Sequence, residues 1–270
     1  MLAKLIGVLF IIIGIAGLIL PVIPGIILIM AGILLFSKKK ATIDWAWIKE
    51  EVSKRERISS GDNSERGAAI AKSLDDSLAK ARSLSKPKYI RTVKKITAAG
   101  EGFIEIEGGI RFSVGAISRS LKDARHLVIY LATIGDKIER IAGEMTSGTE
   151  PLQGYLLDRL GSFAVESLAE AVEKNIRKDY SILRKSVSRR YSPGYCDWPI
   201  EEQRLLARVL DFSKIGVTLN ESCMMVPKKS ISAIVAIASK GVFNESGSAC
   251  EICERRDCSY RRVGSPPAAI

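Results

Sequence analysis

"YIRTVKKITAAGEGFIEIEGGIRF", residues 89–112, alternates apolar and polar side chains and carries a glycine pair at Gly108 and Gly109. A period of two puts one face of an extended chain on a core and the other in water. A Gly-Gly pair admits the positive φ that a tight hairpin turn requires. The stretch therefore predicts neighbouring strands that fold back on each other. Downstream, "SVGAISRSLKDA" (113–124) reads as a helix and "HLVIYLATIG" (126–135) as a buried strand. "DKIERIAGEM" (136–145) and the long run from Pro151 to Tyr180 have helical periodicity and good helix formers. A further helix is predicted at "PIEEQRLLARVLDF" (199–212), and two short apolar runs follow, "CMMVP" (223–227) and "SISAIVAIA" (230–238). Strands and helices are grouped, with no regular βαβ alternation. That pattern predicts an α+β fold with a mainly antiparallel sheet and long helices.

Upstream of this body, Leu5 to Phe36 contains no charged residue. A membrane helix needs about 20 apolar residues, and this run is interrupted by "PVIPG" at residues 21–25. Two prolines and a glycine end or kink a helix. The preferred reading is a transmembrane helical hairpin over residues 1–37, with one long kinked span as the alternative. The run closes in "FSKKK" (36–40), and the positive-inside rule keeps that flank, and the body after it, on the cytoplasmic side. The protein is thus expected to be membrane-anchored with its soluble domain facing the cytoplasm.

Charge separates the segments. The chain of 270 residues has a formal net charge of +11. Residues 38–95 hold 16 basic and 8 acidic side chains, whereas residues 96–270 hold 24 and 22. The body is nearly neutral, which excludes a nucleic-acid partner that would need a basic stripe on the folded domain. Residues 38–86 form a basic helical connector. It is either an arm on anionic membrane lipid, with Trp45 and Trp47 at headgroup depth, or a solvated spacer.

Five cysteines occur, at 196, 223, 250, 253 and 258. Their odd number and crowding fit a disulfide framework poorly. Cys250, Cys253 and Cys258 are spaced Cys-x2-Cys-x4-Cys within the tail 246–270. Thiolates so spaced suit zinc or an iron–sulfur cluster, and a closed site needs a fourth ligand. Cys196 is the first candidate and Cys223 the second. His126 is the single histidine, and no nucleophile signature accompanies it. Dinucleotide, P-loop and zinc-protease motifs are missing as well.

In order along the chain, "RTVKKITAAGEGFIEIEGGIRF", "LVIYLATIGDKIE", "DRLGSFAVESLAEAVEKNIRK", "RYSPGYCDWPIEEQ" and "IGVTLNESCMMVPKKSISAIV" resemble the activation domain of vitamin B12-dependent methionine synthase. The resemblance covers about residues 87–240, and residues 87–245 are expected to form that domain. Its central motif, R-x-x-x-G-Y, is matched by Arg190, Gly194 and Tyr195. The family binds S-adenosylmethionine in a shallow groove and offers its methyl group to cobalamin that has been reduced by one electron. The resemblance implies that Arg190 pairs bidentately with the ligand carboxylate, a geometry suited to guanidinium. It implies that Pro193 and Gly194 shape the turn, that Tyr195 offers a ring face, and that Glu166, Glu170 and Glu221 are candidates for the ligand ammonium. It places no catalytic residue on this chain, whose part is that of a component of methyltransferase activity.

The cobalamin-binding motif D-x-H-x-x-G is absent, since Asp123 and His126 have the wrong spacing. Cobalamin is therefore expected on a partner, a corrinoid protein or cobalamin-dependent methyltransferase. A flavodoxin- or ferredoxin-like protein is the expected electron donor. The strand "SISAIVAIA" lacks an aromatic residue that family members often carry there. The alternative reading is a non-catalytic, membrane-attached scaffold or electron relay built on the cysteine tail.

Overall fold

A computed structural model describes residues 40–58 and 64–243. The apolar run of the expected hairpin and the three tail cysteines lie outside these residues. Among the described residues, no helix is long and apolar enough to cross a membrane.

A six-stranded antiparallel sheet forms the centre, in the order β3 (Ile110–Gly115), β2 (Gly102–Ile106), β1 (Lys88–Gly100), β4 (His126–Thr133), β8 (Ser230–Ser239), β5 (Lys185–Val187). Strand β1 (Lys88–Gly100) serves two neighbours. Its first half pairs with β4 (His126–Thr133) and its second half with β2 (Gly102–Ile106), with a register shift between Ile96 and Ala98. The Gly108-Gly109 turn, at φ of 91° and 72°, returns the chain into β3 (Ile110–Gly115). The hairpin predicted from the alternation is present. The helix predicted over 113–124 is shorter, because β3 runs on to Gly115 and only α3 (Ile117–Leu121) is helical.

Strands β4 and β8 (Ser230–Ser239) lie in the middle of the sheet. Helices cover one face, with Val128, Tyr130, Ala132, Ala233, Val235 and Ile237 in that core. The other face packs Leu127, Ile129, Leu131, Ile234 and Ala236 against Phe112, Trp198, Leu206 and Phe212. A strand buried on both faces has no polar side to show, so both read as continuous apolar runs.

The helix-side layer is organised by α5 (Pro151–Ile182), 32 residues long and so about 48 Å. Proline at its first turn suits a position whose N–H has no helical partner. Helix α4 (Lys137–Ser147) crosses close to it, since a Cβ on Gly161 would stand 2.6 Å from Ile138 Cγ2. The basic segment supplies α1 (Trp45–Arg55) and α2 (Glu65–Leu84), capped by Asp44 and Ser64. Both are helical, as the sequence implied, and α5 gives them a partner that the sequence left unassigned. Ile48, Val52, Leu74 and Ala81 are buried. Trp47 meets Phe163 of α5 edge-on at 6.1 Å, so its ring is engaged with protein. The Asp44 N–H donates to Ser167 Oγ at 2.9 Å.

The short strand β5 (Lys185–Val187) lies at the sheet edge beside β8. After it the chain stays against β8 through a Tyr191–Ile234 bridge. It then leaves as the loop 192–199, enters a 3-10 turn (Ile200–Glu202) and α6 (Gln203–Val209), and returns through a small hairpin, β6 (Thr218–Leu219) with β7 (Met225–Val226).

Candidate functional site

Where the sheet edge, α5 and the loop after β5 meet, they leave a groove of about 210 Å³. Enclosed ligand pockets run to roughly 300–1,000 Å³, so a larger ligand would lie along this groove with part of itself in solvent. Its lining includes Glu166 from α5, Arg190, Ser192, Pro193 and Tyr195 from the loop, and Gln203 from α6. Ile200, Cys223 to Met225, Lys228 and Ser230 to Ser232 complete it. The sheet-edge segment explains why Arg190 faces this way. Tyr191 packs into the core on the far side of the sheet, and in an extended chain the preceding residue points to the opposite face.

The guanidinium of Arg190 is held from two sides. Its Nη2 donates to Glu166 Oε2 at 2.7 Å, and its Nε stands 3.4 Å from Glu173 Oε1. The Tyr130 hydroxyl donates to that same Glu173 oxygen at 2.9 Å. Arg190 Nη1 is buried and has no hydrogen-bond partner within the protein. A buried donor left unsatisfied costs about 1–3 kcal/mol, so this atom is a standing demand for an acceptor.

The electrostatics follow from burial. Desolvation pushes the Glu173 carboxyl above its ordinary range, and Arg190 and the Tyr130 hydroxyl only partly offset it. Burial, reinforced by the Glu173 charge, holds the Tyr130 phenol well above its usual value. For Arg190, burial opposes the charge, but Tyr130, Glu173 and Glu166 outweigh it and raise the pKa further. The guanidinium stays charged at any working pH.

The loop is fixed by its own sequence. Gly194 has φ of 87° and donates its N–H to the Trp198 carbonyl at 2.8 Å. Trp198 is buried, lies edge-on to Phe112 at 6.0 Å and donates Nε1 to Glu202 at 2.7 Å. Asp197 accepts the Ala116 N–H at 2.8 Å, and Glu202 accepts the Ser113 N–H at 2.8 Å. These contacts fasten the loop to β3 and to the start of α3. They leave Tyr195, 53 % exposed, and Met224, 52 % exposed, at the groove's rim.

The structure thus brings Arg190, Pro193, Tyr195 and Glu166 together, with Gly194 shaping the turn. Glu166 pairs with Arg190 itself at Nη2, so a ligand carboxylate on Nη1 and Nη2 would meet the Glu166 charge there. Glu170 is exposed and does not line the groove. Glu221 is exposed too, and only its backbone carbonyl, accepting from Arg204 at 2.8 Å, is engaged. His126 sits at the outer end of β4, paired in register with Lys95 and Ile237, away from the groove residues.

Of the cysteines, Cys223 is buried and lines the groove, whereas Cys196 is half-buried against the second core. Among the described residues, no three His, Cys, Asp or Glu side chains are grouped to hold a metal ion. Cys250, Cys253 and Cys258 lie outside them.

Sequence reasoning missed Glu173, Tyr130, Gln203 and the serines of β8. Tyr130 had a signal, as the one hydroxyl-bearing aromatic in an otherwise apolar strand. Gln203 is buried and donates Nε2 to Ser232 Oγ at 2.7 Å.

Known proteins match this chain over part of its length. Residues 117–245 match the family model of the vitamin B12 dependent methionine synthase activation domain. That span contains every residue that lines the groove, and starts later than the resemblance read from about residue 87. No match was found among curated proteins. Solved structures share the fold. One, the MetH reactivation domain bound to AdoHcy, has a TM-score of 0.52 and 17 % sequence identity, covering 72 % of this chain and 73 % of its own.

Proposed function

We propose that the groove binds S-adenosylmethionine as methyl donor for reductive reactivation of cobalamin carried by a separate corrinoid protein or methyltransferase such as methionine synthase. The observation that carries this reading is Arg190, charged, set into the groove lining and left with a buried donor unmet. The activation-domain match over the same residues supports it, as does the fold shared with a domain solved with AdoHcy. The ligand carboxylate would take Arg190 while Glu166 moves to the ligand ammonium. This exchange of one anion for another keeps the buried cation paired. Tyr195 and Met224 would flank the remainder. The sulfonium supplies the methyl group, and the reduced cobalt on the partner is its acceptor. The chain's own residues need only bind and orient, in keeping with the missing nucleophile. A flavodoxin- or ferredoxin-like donor would supply the electron.

The proposal extends to a membrane anchor in residues 1–37 with the body on the cytoplasmic side. It extends also to a zinc or iron–sulfur site on Cys250, Cys253 and Cys258, with Cys196 as fourth ligand. The membrane reading rests on the uncharged run and its basic flank, the metal reading on cysteine spacing.

Calorimetry on the full-length chain in detergent tests the core of this reading. Wild type should bind S-adenosylmethionine. Arg190→Ala should weaken binding by roughly tenfold to a hundredfold, the worth of a charged hydrogen-bonded pair. No heat with intact, folded wild type overturns the proposal. Bound metal without ligand affinity would favour the scaffold reading instead.

A further inference from the structure

Resting on that reading, we infer that Glu173, steadied by the Tyr130 hydroxyl, is the positioning residue that holds Arg190 across the groove while Glu166 is exchanged for ligand. The two carboxylates on Arg190 differ in kind. Glu166 is itself part of the groove lining and can be displaced towards a ligand. Glu173 is not part of that lining, its side chain is 15 % exposed, and its Oε1 already accepts from Tyr130 at 2.9 Å. Tyr130 is fully buried and sits between β1 and β8, opposite Arg91 and Ala233. The chain of contacts runs from the centre of the sheet, through Tyr130 and Glu173, to the Nε side of the guanidinium. It leaves the Nη1 and Nη2 side as the variable part.

Two effects of Glu173 on a carboxylate ligand oppose each other. Its charge repels the ligand carboxylate, so removing it would strengthen binding. Its grip keeps a long side chain with many rotamers in one orientation, so removing it would weaken binding. Arg190 stands between Glu173 and the groove and cancels most of the repulsion. The ordering of a flexible arginine has no such cancelling term. The positioning effect therefore wins, and it acts only on ligands that use Arg190.

The experiment compares S-adenosylmethionine with decarboxylated S-adenosylmethionine, by calorimetry on the full-length chain, for wild type, Glu173→Gln and Tyr130→Phe. The amide matches the carboxyl in size and still accepts from Tyr130. Burial already favours a neutral group at this place, so the variant should fold. Tyr130→Phe keeps the Glu173 charge and removes the hydroxyl, and with it both the bond to Glu173 and the direct interaction of that hydroxyl with Arg190. Glu173→Gln is expected to lose about tenfold in affinity for S-adenosylmethionine and to keep its affinity for the decarboxylated ligand. Tyr130→Phe should shift the same ratio in the same direction by less. Unchanged or tighter binding of S-adenosylmethionine by a folded Glu173→Gln overturns the inference, and so does equal loss of both ligands. Failure of wild type to bind S-adenosylmethionine is a different result and removes the proposed function beneath it.

Discussion

At the scale of single residues, the loop between Arg190 and Trp198 depends on its backbone as well as on the side chains that fasten it. Gly194 is left-handed at φ of 87°, and an added Cβ would meet Ile200 Cδ1 at 3.1 Å. An L side chain in that conformation costs about 1–2 kcal/mol. Gly108 is also left-handed, at 91°, with open space around it. Gly194→Ala and Gly108→Ala should therefore both lower the melting temperature by a few degrees through the same backbone strain. Only Gly194→Ala should also weaken S-adenosylmethionine binding, because it presses on Ile200, which lines the groove. Thermal melts and calorimetry on both variants check this. Equal ligand affinity in the two would mean that the turn does not shape the groove.

At the scale of elements, the clearest joint is between α1 and α5. Glu56, just past α1, accepts from the Tyr155 hydroxyl at 2.7 Å and from Arg159 Nε at 2.8 Å. Burial would raise its carboxyl, but the Tyr155 bond, then Arg159 by bond and charge, and Arg55 by charge, pull it below its ordinary 4.5. A depressed carboxyl contributes stability that is present above the unfolded pKa and is lost as pH falls through the folded one. Glu56→Gln should thus cost at most about 1 kcal/mol at pH 7, in the range of part-exposed ion pairs. The gap from wild type should narrow as the pH falls below the ordinary carboxylate range, where Glu56 takes up its proton. Melting temperatures across that range give the answer, and a gap independent of pH would rule out the ion pair as its source.

The same joint shows where sequence reading stops. Strands β4 and β8 were legible because burial on both faces writes an unbroken apolar run. Helices α1 and α2 were legible as helices, but their narrow apolar faces do not say what covers them. The partner, α5, lies about a hundred residues downstream. Trp47 illustrates the ambiguity, since an amphipathic ring beside a basic run suits a membrane surface and Phe163 equally well. In the groove, Arg190, Pro193, Gly194 and Tyr195 were legible as one local string. Glu173 and Tyr130 were not, because a glutamate on a long helix and a tyrosine in a strand become a pair only once α5 is laid across the sheet.

At the scale of the whole molecule, the question is where the body begins. A boundary at residue 86/87, read from composition, makes residues 38–86 a separable connector. The packing argues that the body takes in α1 and α2. Ile48, Val52 and Leu74 are buried in the helix-side core, and burying each such side chain stabilises by about 1.5–3 kcal/mol. Removing α1 and α2 takes these burials away together with the Trp47–Phe163 contact and the Glu56 ion pair, and a whole domain is stable by only about 5–15 kcal/mol. A chain cut to residues 40–243 should therefore melt cooperatively. A chain cut to residues 87–243 should bind a hydrophobic dye and lose its cooperative transition, because the surface of α5 that faces α1 and α2 would be bare. Equal melting temperatures for the two fragments would restore the connector. If the longer fragment alone folds, the basic segment is structural, and the positive charge it carries is then fixed on the same rigid body as the groove.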